Sequence, residues 1–182
     1  MATNFAASAR PVEGNASSPV RVLIYEDLQC ADCLAFAEML DEHLLPRYGF
    51  VAAFEHRDFP LPKHSWARDA AIAACFFDEQ TPGMGLRFRR AAMAQIDDVN
   101  GGTFADFLAD FASENQVDPM RAAAALSDAR YKACVEASYQ EGVMRGVKRT
   151  PTVFVMDQPF IERFDPEAIS QAIEFAIEEA RR

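Results

Sequence analysis

The 182-residue sequence has too little cysteine for a disulfide scaffold: there are four, Cys30, Cys33, Cys75 and Cys134. Small disulfide-built domains use cysteine far more densely. A structural zinc site usually needs a second close pair, and Cys75 and Cys134 each stand alone, so no metal site is expected. Positive charge is also scarce, with 18 Lys and Arg against 28 Asp and Glu and a net charge of -10. Such a surface repels nucleic acid and anionic membranes, which leaves small molecules and other proteins as partners. No run approaches the roughly 20 apolar residues of a membrane helix. The opening MATNFAASARPVEGNASSPV lacks a basic segment followed by an apolar one, so it does not read as a secretory signal. As written, the sequence points to the cytoplasm; if it is a mature form, a periplasmic or extracytoplasmic site is the alternative. Repeats and low-complexity tracts are missing too.

Half of the residues are hydrophobic, enough for one domain with a real core or a small domain carrying an insertion. Residues 1 to 18, broken by Pro11 and Gly14, read as an N-terminal arm or an edge segment. "VRVLIY", Val20 to Tyr25, is a β-branched, apolar strand ending at Glu26-Asp27. A helix is expected next, with Phe36, Leu40 and Leu44 on one face, until Pro46 and Gly49 end it. "FVAAFEHRDFP" from Phe50 reads as a second strand, giving the βαβ unit of a parallel sheet. From Ser65 to about Gly146 the pattern is helical, with Thr103 and Asp118-Pro119 as helix starts. Strand signals return at Thr152 to Met156, followed by an Asp157-Gln158-Pro159 turn, "FIERF" as hairpin partner, and a last helix capped at Asp165-Pro166.

Two cysteines separated by two residues are shared among redox dithiols, zinc half-sites and buried thiols. Position favours redox. Cys30 falls where a strand hands over to a helix, so unpaired N-H groups and the positive helix end favour its thiolate. Cys33 lies within disulfide reach in the first turn. Cys30 would attack a substrate disulfide, and Cys33 would release it by attacking the mixed intermediate.

The strand-CxxC-helix start, the long helical stretch and the late "VKRTPTVFV" together resemble the DsbA-like thiol:disulfide oxidoreductases of the thioredoxin superfamily. "GNASSPVRVLIYEDLQCADC" is similar to that family's strand and active-site helix, and "FEHRDFPLPKHSWARDAAIAA" to its second strand and first inserted helix. The resemblance implies an α/β thioredoxin fold from residues 19-62 and 147-182, with a helical subdomain, 63-146, inserted. It implies an enzyme that exchanges disulfides with protein or peptide thiols, is recycled by a redox partner and needs no cofactor beyond the Cys30-Cys33 disulfide. Cys30 would be the nucleophile and Cys33 the resolving thiol. Pro151 matches the family's cis-proline, and the backbone of Thr150 before it would pair with substrate chain.

Two positions depart from the family. The acid often found six residues before the first cysteine is replaced by Ile24; Glu26, two residues on, is a candidate substitute, although Glu26 and Asp27 read better as solvated strand-end residues. Between the cysteines stands Asp32, where strong oxidants carry histidine. At ~7 Å its charge raises the Cys30 pKa by about half a unit, against the helix terminus, so a less oxidising dithiol is expected. His64, after "FPLPK", is a further candidate modulator or a surface residue. Cys75 and Cys134 read as buried inert thiols, with a disulfide between their helices as the alternative. A redox-inactive binding module and a glutathione-linked transferase or isomerase on the same fold are the rival functions. Direction of flow, substrate and oligomeric state are not legible.

Overall fold

The computed structural model describes residues 11-162 and 165-182. Its sheet contains β1 (Val12–Gly14), β2 (Arg21–Glu26), β3 (Ala53–Asp58), β4 (Thr152–Val155) and β5 (Gln158–Ile161), in the order β1-β3-β2-β4-β5. β2 and β3 are parallel, as the strand-helix-strand pattern requires, while β1 on β3, β4 on β2 and β5 on β4 are antiparallel. Part of the expected arm is therefore the edge strand β1. Gly14 makes this possible: its φ is +79°, and a Cβ there would lie 2.6 Å from the Ala52 carbonyl oxygen. Residues 1-10 lie outside the described residues.

α1 (Ala31–Met39) continues through a π turn, Leu40–Leu44, into α2 (Leu45–Tyr48). Pro46 does not end this helix, contrary to expectation. It sits at the start of α2, where the preceding π turn spares the i-4 bond that proline cannot make. Phe36, Leu40, Leu44 and Tyr48 are all buried, packed with Val22, Ile24, Val153 and Val155 of the sheet and Ile169 and Ile173 of α8 (Pro166–Ala180).

Between β3 and β4 come α3 (Ala67–Gln80), α4 (Met84–Ala94), α5 (Phe104–Glu114), α6 (Pro119–Ala125) and α7 (Ala129–Met144). Asp118 and Asp165 cap α6 and α8 by accepting from the N-H groups of Met120 and Glu167. These inserted helices share a core in which Phe77, Phe88 and Phe111 meet ring to ring, with centroids 4.9 to 5.0 Å apart. That core reaches Leu28, Cys30, Cys33 and Ala37, so the insertion covers the end of the sheet where the dithiol lies. α7 packs closely on Phe59 and Tyr25 because Gly142 has no side chain; a Cβ there would lie 2.6 Å from the Phe59 ring.

Three expectations are corrected. The hairpin turns one residue earlier, at Met156-Asp157, with Met156 at φ 53°, so Gln158 and Pro159 already belong to β5; Arg163 and Phe164 of "FIERF" lie outside the described residues. Cys75 and Cys134 are joined in a disulfide between α3 and α7, with Cα atoms 6.8 Å apart. Glu26 and Asp27 are buried instead of solvated, because both have fixed partners contributed from beyond residue 55.

Candidate active site

β2 ends at Glu26, and the chain turns once before α1 begins, the Cys30 N-H donating to the Asp27 carbonyl at 3.1 Å. Cys30 is the N-cap of α1, with an extended backbone, and no oxygen-bearing side chain caps the helix. Its sulfur occupies the place where a cap's acceptor normally sits, beside N-H groups with no intrahelical partner. The thiol donates to the Thr150 carbonyl at 3.4 Å.

The two thiols are unbonded and unequal. A hydrogen bond from Cys33 does most to favour the Cys30 thiolate. Partial burial opposes it, and the Thr150 side chain and the N-H groups of Cys33 and Asp32 assist; together they bring Cys30 down to about 6. Burial, then the bond and charge of Cys30, push the Cys33 thiol well up, and the Glu26 charge adds to this. One contact works the other way: the Asp27 N-H donates to the Cys33 sulfur at 3.4 Å. Cys30 retains 8% exposure against 1% for Cys33.

The Thr150-Pro151 bond is cis. Antiparallel pairing of Tyr25 with Thr152 brings Thr150 and Pro151 to the dithiol end of β2. The Thr150 hydroxyl is buried and otherwise unpartnered among the described residues, and the Pro151 carbonyl accepts from the Glu162 N-H at 2.9 Å.

Asp27 binds the turn to a distant loop. Its carboxylate has no exposed surface and accepts from the Gln29 N-H at 2.8 Å, the Leu61 N-H at 2.7 Å and His64 Nδ1 at 2.8 Å. His64 is 17% exposed and so joins the site from its rim. Sequence reasoning passed over Asp27; the signal was available, since an Asp two residues before a free N-H is the pattern of an Asx turn.

Glu26 belongs to a different assembly. It accepts from His56 Nδ1 at 2.9 Å and Arg89 Nη1 at 3.2 Å, while His56 Nε2 donates to Glu13 at 2.7 Å and Arg89 pairs with Asp58 at 2.7 Å. Burial alone would raise Glu26, but the His56 and Arg89 cations hold it at about 2. Burial would lower His56, and the two glutamates instead lift it to about 9. A carboxylate held so low is a poor proton acceptor. The Asp32 side chain is exposed in the first turn of α1, and it is the Asp32 backbone N-H that contributes at Cys30. Among the described residues, no cluster of three or more His, Cys, Asp or Glu side chains is placed to hold a metal, and no helix is long and apolar enough to cross a membrane.

A thioredoxin family model matches residues 7-175, and the chain belongs to that family. Within it, the arrangement of sheet and inserted helices is DsbA-like. The crystal structure of Wolbachia pipientis alpha-DsbA1 superposes with a TM-score of 0.80 at 16% identity, covering 94% of this chain and 92% of that one. Oxidised BdbD from Bacillus subtilis gives 0.78 at 20% identity, with 93% of each chain covered. The thiol-disulfide exchange protein alpha-DsbA2 from Wolbachia pipientis gives 0.77 at 18%, covering 92% and 87%. No curated protein sequence matches the chain.

Proposed function

We propose that the chain exchanges disulfides with protein or peptide substrates through Cys30 and Cys33. The observation that carries this is the inequality of the two thiols: one is held near 6 at a helix N-terminus and the other pushed far up in the core. The Cys30 thiolate attacks one sulfur of a substrate disulfide, forming a mixed disulfide and expelling a substrate thiolate. Cys33 then gives up its proton and attacks the Cys30 sulfur, closing the Cys30-Cys33 disulfide and releasing the second substrate thiol. The substrate gains two electrons and the enzyme loses two. The reverse sequence, starting from the closed disulfide, oxidises a substrate dithiol.

Thr150 and Pro151 would hold substrate chain against Cys30. Asp27 is a positioning residue in this scheme, since its N-H meets the charge that develops on Cys33 during resolution, and its carboxylate, tied to Leu61 and His64, holds that N-H in place. A second redox protein would return the dithiol to its starting state. The Cys75-Cys134 disulfide supports an oxidising, extracytoplasmic compartment over the cytoplasmic one.

Equilibration of the purified protein against glutathione buffers tests this reading. A Cys30 pKa of about 6 lies between those of strong oxidants and of thioredoxin itself, so a potential between roughly -120 and -270 mV is expected. Failure of Cys30 and Cys33 to form a disulfide at any glutathione ratio would refute the function.

A further inference from the structure

The register of β4 and β5 pairs Thr152 with Ile161 and Phe154 with Pro159, so these four side chains share one face of the sheet. The opposite face, with Val153 and Val155, is covered by the core under α1 and α8. Beside the first face the chain leaves α7 through the turn 145-149, and between that turn and the β4-β5 hairpin lies an open groove of about 400 Å³. Phe154 and Val147 form its buried floor, and Ile161 on its wall is 55% exposed.

Its rim is basic, in a protein whose net charge is -10. Arg145, Lys148 and Arg149 fall within five residues directly before Thr150. Two carboxylates answer them. Glu162 pairs with Arg149 at 2.9 Å across an exposed surface; Glu141 lies 3.9 Å from Arg145 and is shared with Tyr25 and Arg57. Arg145 also lies over the Phe154 ring, 5.5 Å from its centre. Lys148 is exposed and has no carboxylate partner among the described residues.

From this charge complementarity we infer that the groove docks an acidic segment with apolar side chains, carried by the same polypeptide whose cysteine reacts at Cys30. The inference rests on the proposed exchange activity and names a substrate class for it. Arg149 adjoins Thr150, whose carbonyl is 3.4 Å from the Cys30 sulfur. Extended chain rises ~3.3 Å per residue, so a segment about three to six residues from the reacting cysteine reaches the groove. Its apolar side chains would cover Ile161 and Phe154, and its carboxylates would face Lys148 and its neighbours.

Two dithiol peptides test this, identical except for Asp-Glu or Lys-Arg placed four residues from the cysteine. They are reacted with the oxidised wild type and with Lys148→Glu and Ile161→Asp. The acidic peptide is expected to react about fivefold more slowly with Lys148→Glu, and the basic one faster. Ile161→Asp should slow the acidic peptide, and salt should draw the wild-type rate for it toward that of Lys148→Glu. Dithiothreitol should react equally with all three proteins. Equal effects on both peptides, or none on either, would overturn the inference. If dithiothreitol itself fails to react, the exchange function falls, and fluorescence anisotropy of a cysteine-free acidic peptide still decides the groove: binding lost in Lys148→Glu upholds it. Binding to anionic vesicles in place of the peptide would assign the face to lipid and overturn it.

Discussion

Cys30 and Cys33 are three positions apart and unbonded, whereas Cys75 and Cys134 are 59 apart and joined. The first pair sits at a turn where helix N-H groups and the Thr150 side chain favour charge on Cys30 and the Asp27 N-H reaches Cys33. The second ties α3 to α7 among Phe76, Tyr131 and Val135, within a core of aromatic and aliphatic side chains. The contrast shows that spacing decides little alone. What separates a reactive pair from a structural one is whether hydrogen-bond donors and helix ends are aimed at the sulfur.

The largest effect should come from Cys30→Ser, which removes the only cysteine with a depressed pKa. Exchange with a dithiol peptide is expected to fall at least about a thousandfold, with the melting curve unchanged. Loss of stability without loss of exchange would reverse the contrast between the pairs. Replacing Cys75 and Cys134 together by alanine should do the opposite: exchange with dithiothreitol persists, while opening a loop of this length costs ~4 kcal/mol in urea unfolding by the chain-entropy model.

Asp27→Ala sharpens the comparison from inside the site. It leaves the Leu61 and Gln29 N-H groups without their acceptor, at a cost of about 2 kcal/mol. By loosening the N-H that faces Cys33, it should also lengthen the lifetime of the mixed disulfide. Asp27→Asn, which keeps an acceptor oxygen, should restore most of both. A mixed-disulfide lifetime unchanged in Asp27→Ala would leave Asp27 a purely structural residue.

The smallest effect is a pH window set by the neighbouring ion pairs. Glu26 is held at about 2 against an ordinary 4.5, so its stabilisation is full above pH 4.5 and lost as pH falls toward 2. His56 is raised from 6.5 to about 9, so its stabilisation is full below pH 6.5 and lost as pH rises toward 9. The stability difference between wild type and Glu26→Gln should therefore be greatest between pH 4.5 and 6.5 and shrink on both sides. A flat difference from pH 3 to 9 would contradict the ion-pair assignment.

Features governed by neighbours in the chain were legible in the sequence. β2 and β3, the caps at Asp118 and Asp165, and Cys30 at the head of α1 all follow from patterns spanning a few residues. What depended on distant partners was not. Glu26 is buried because His56 and Arg89 lie 30 and 63 residues away, and Asp27 because Leu61 and His64 do at 34 and 37. β1 was hidden for the same reason: only β3 makes a strand of Val12 to Gly14. The sheet face beside Lys148 was likewise invisible before the register of β4 and β5 was known.

The π turn at Leu40–Leu44 acts as a phase corrector for the reactive end of the molecule. In a helix of 3.6 residues per turn, positions four apart drift by about 40° at each step. Phe36, Leu40, Leu44 and Tyr48 would then spiral off the sheet, yet all four stay on it because the wider turn takes the drift back. Deleting one residue from that turn would restore the drift and swing whichever half of the helix is less tightly gripped by about 100°. If the half that moves carries Cys33, its sulfur leaves the Asp27 N-H, and both cysteines remain present but out of step.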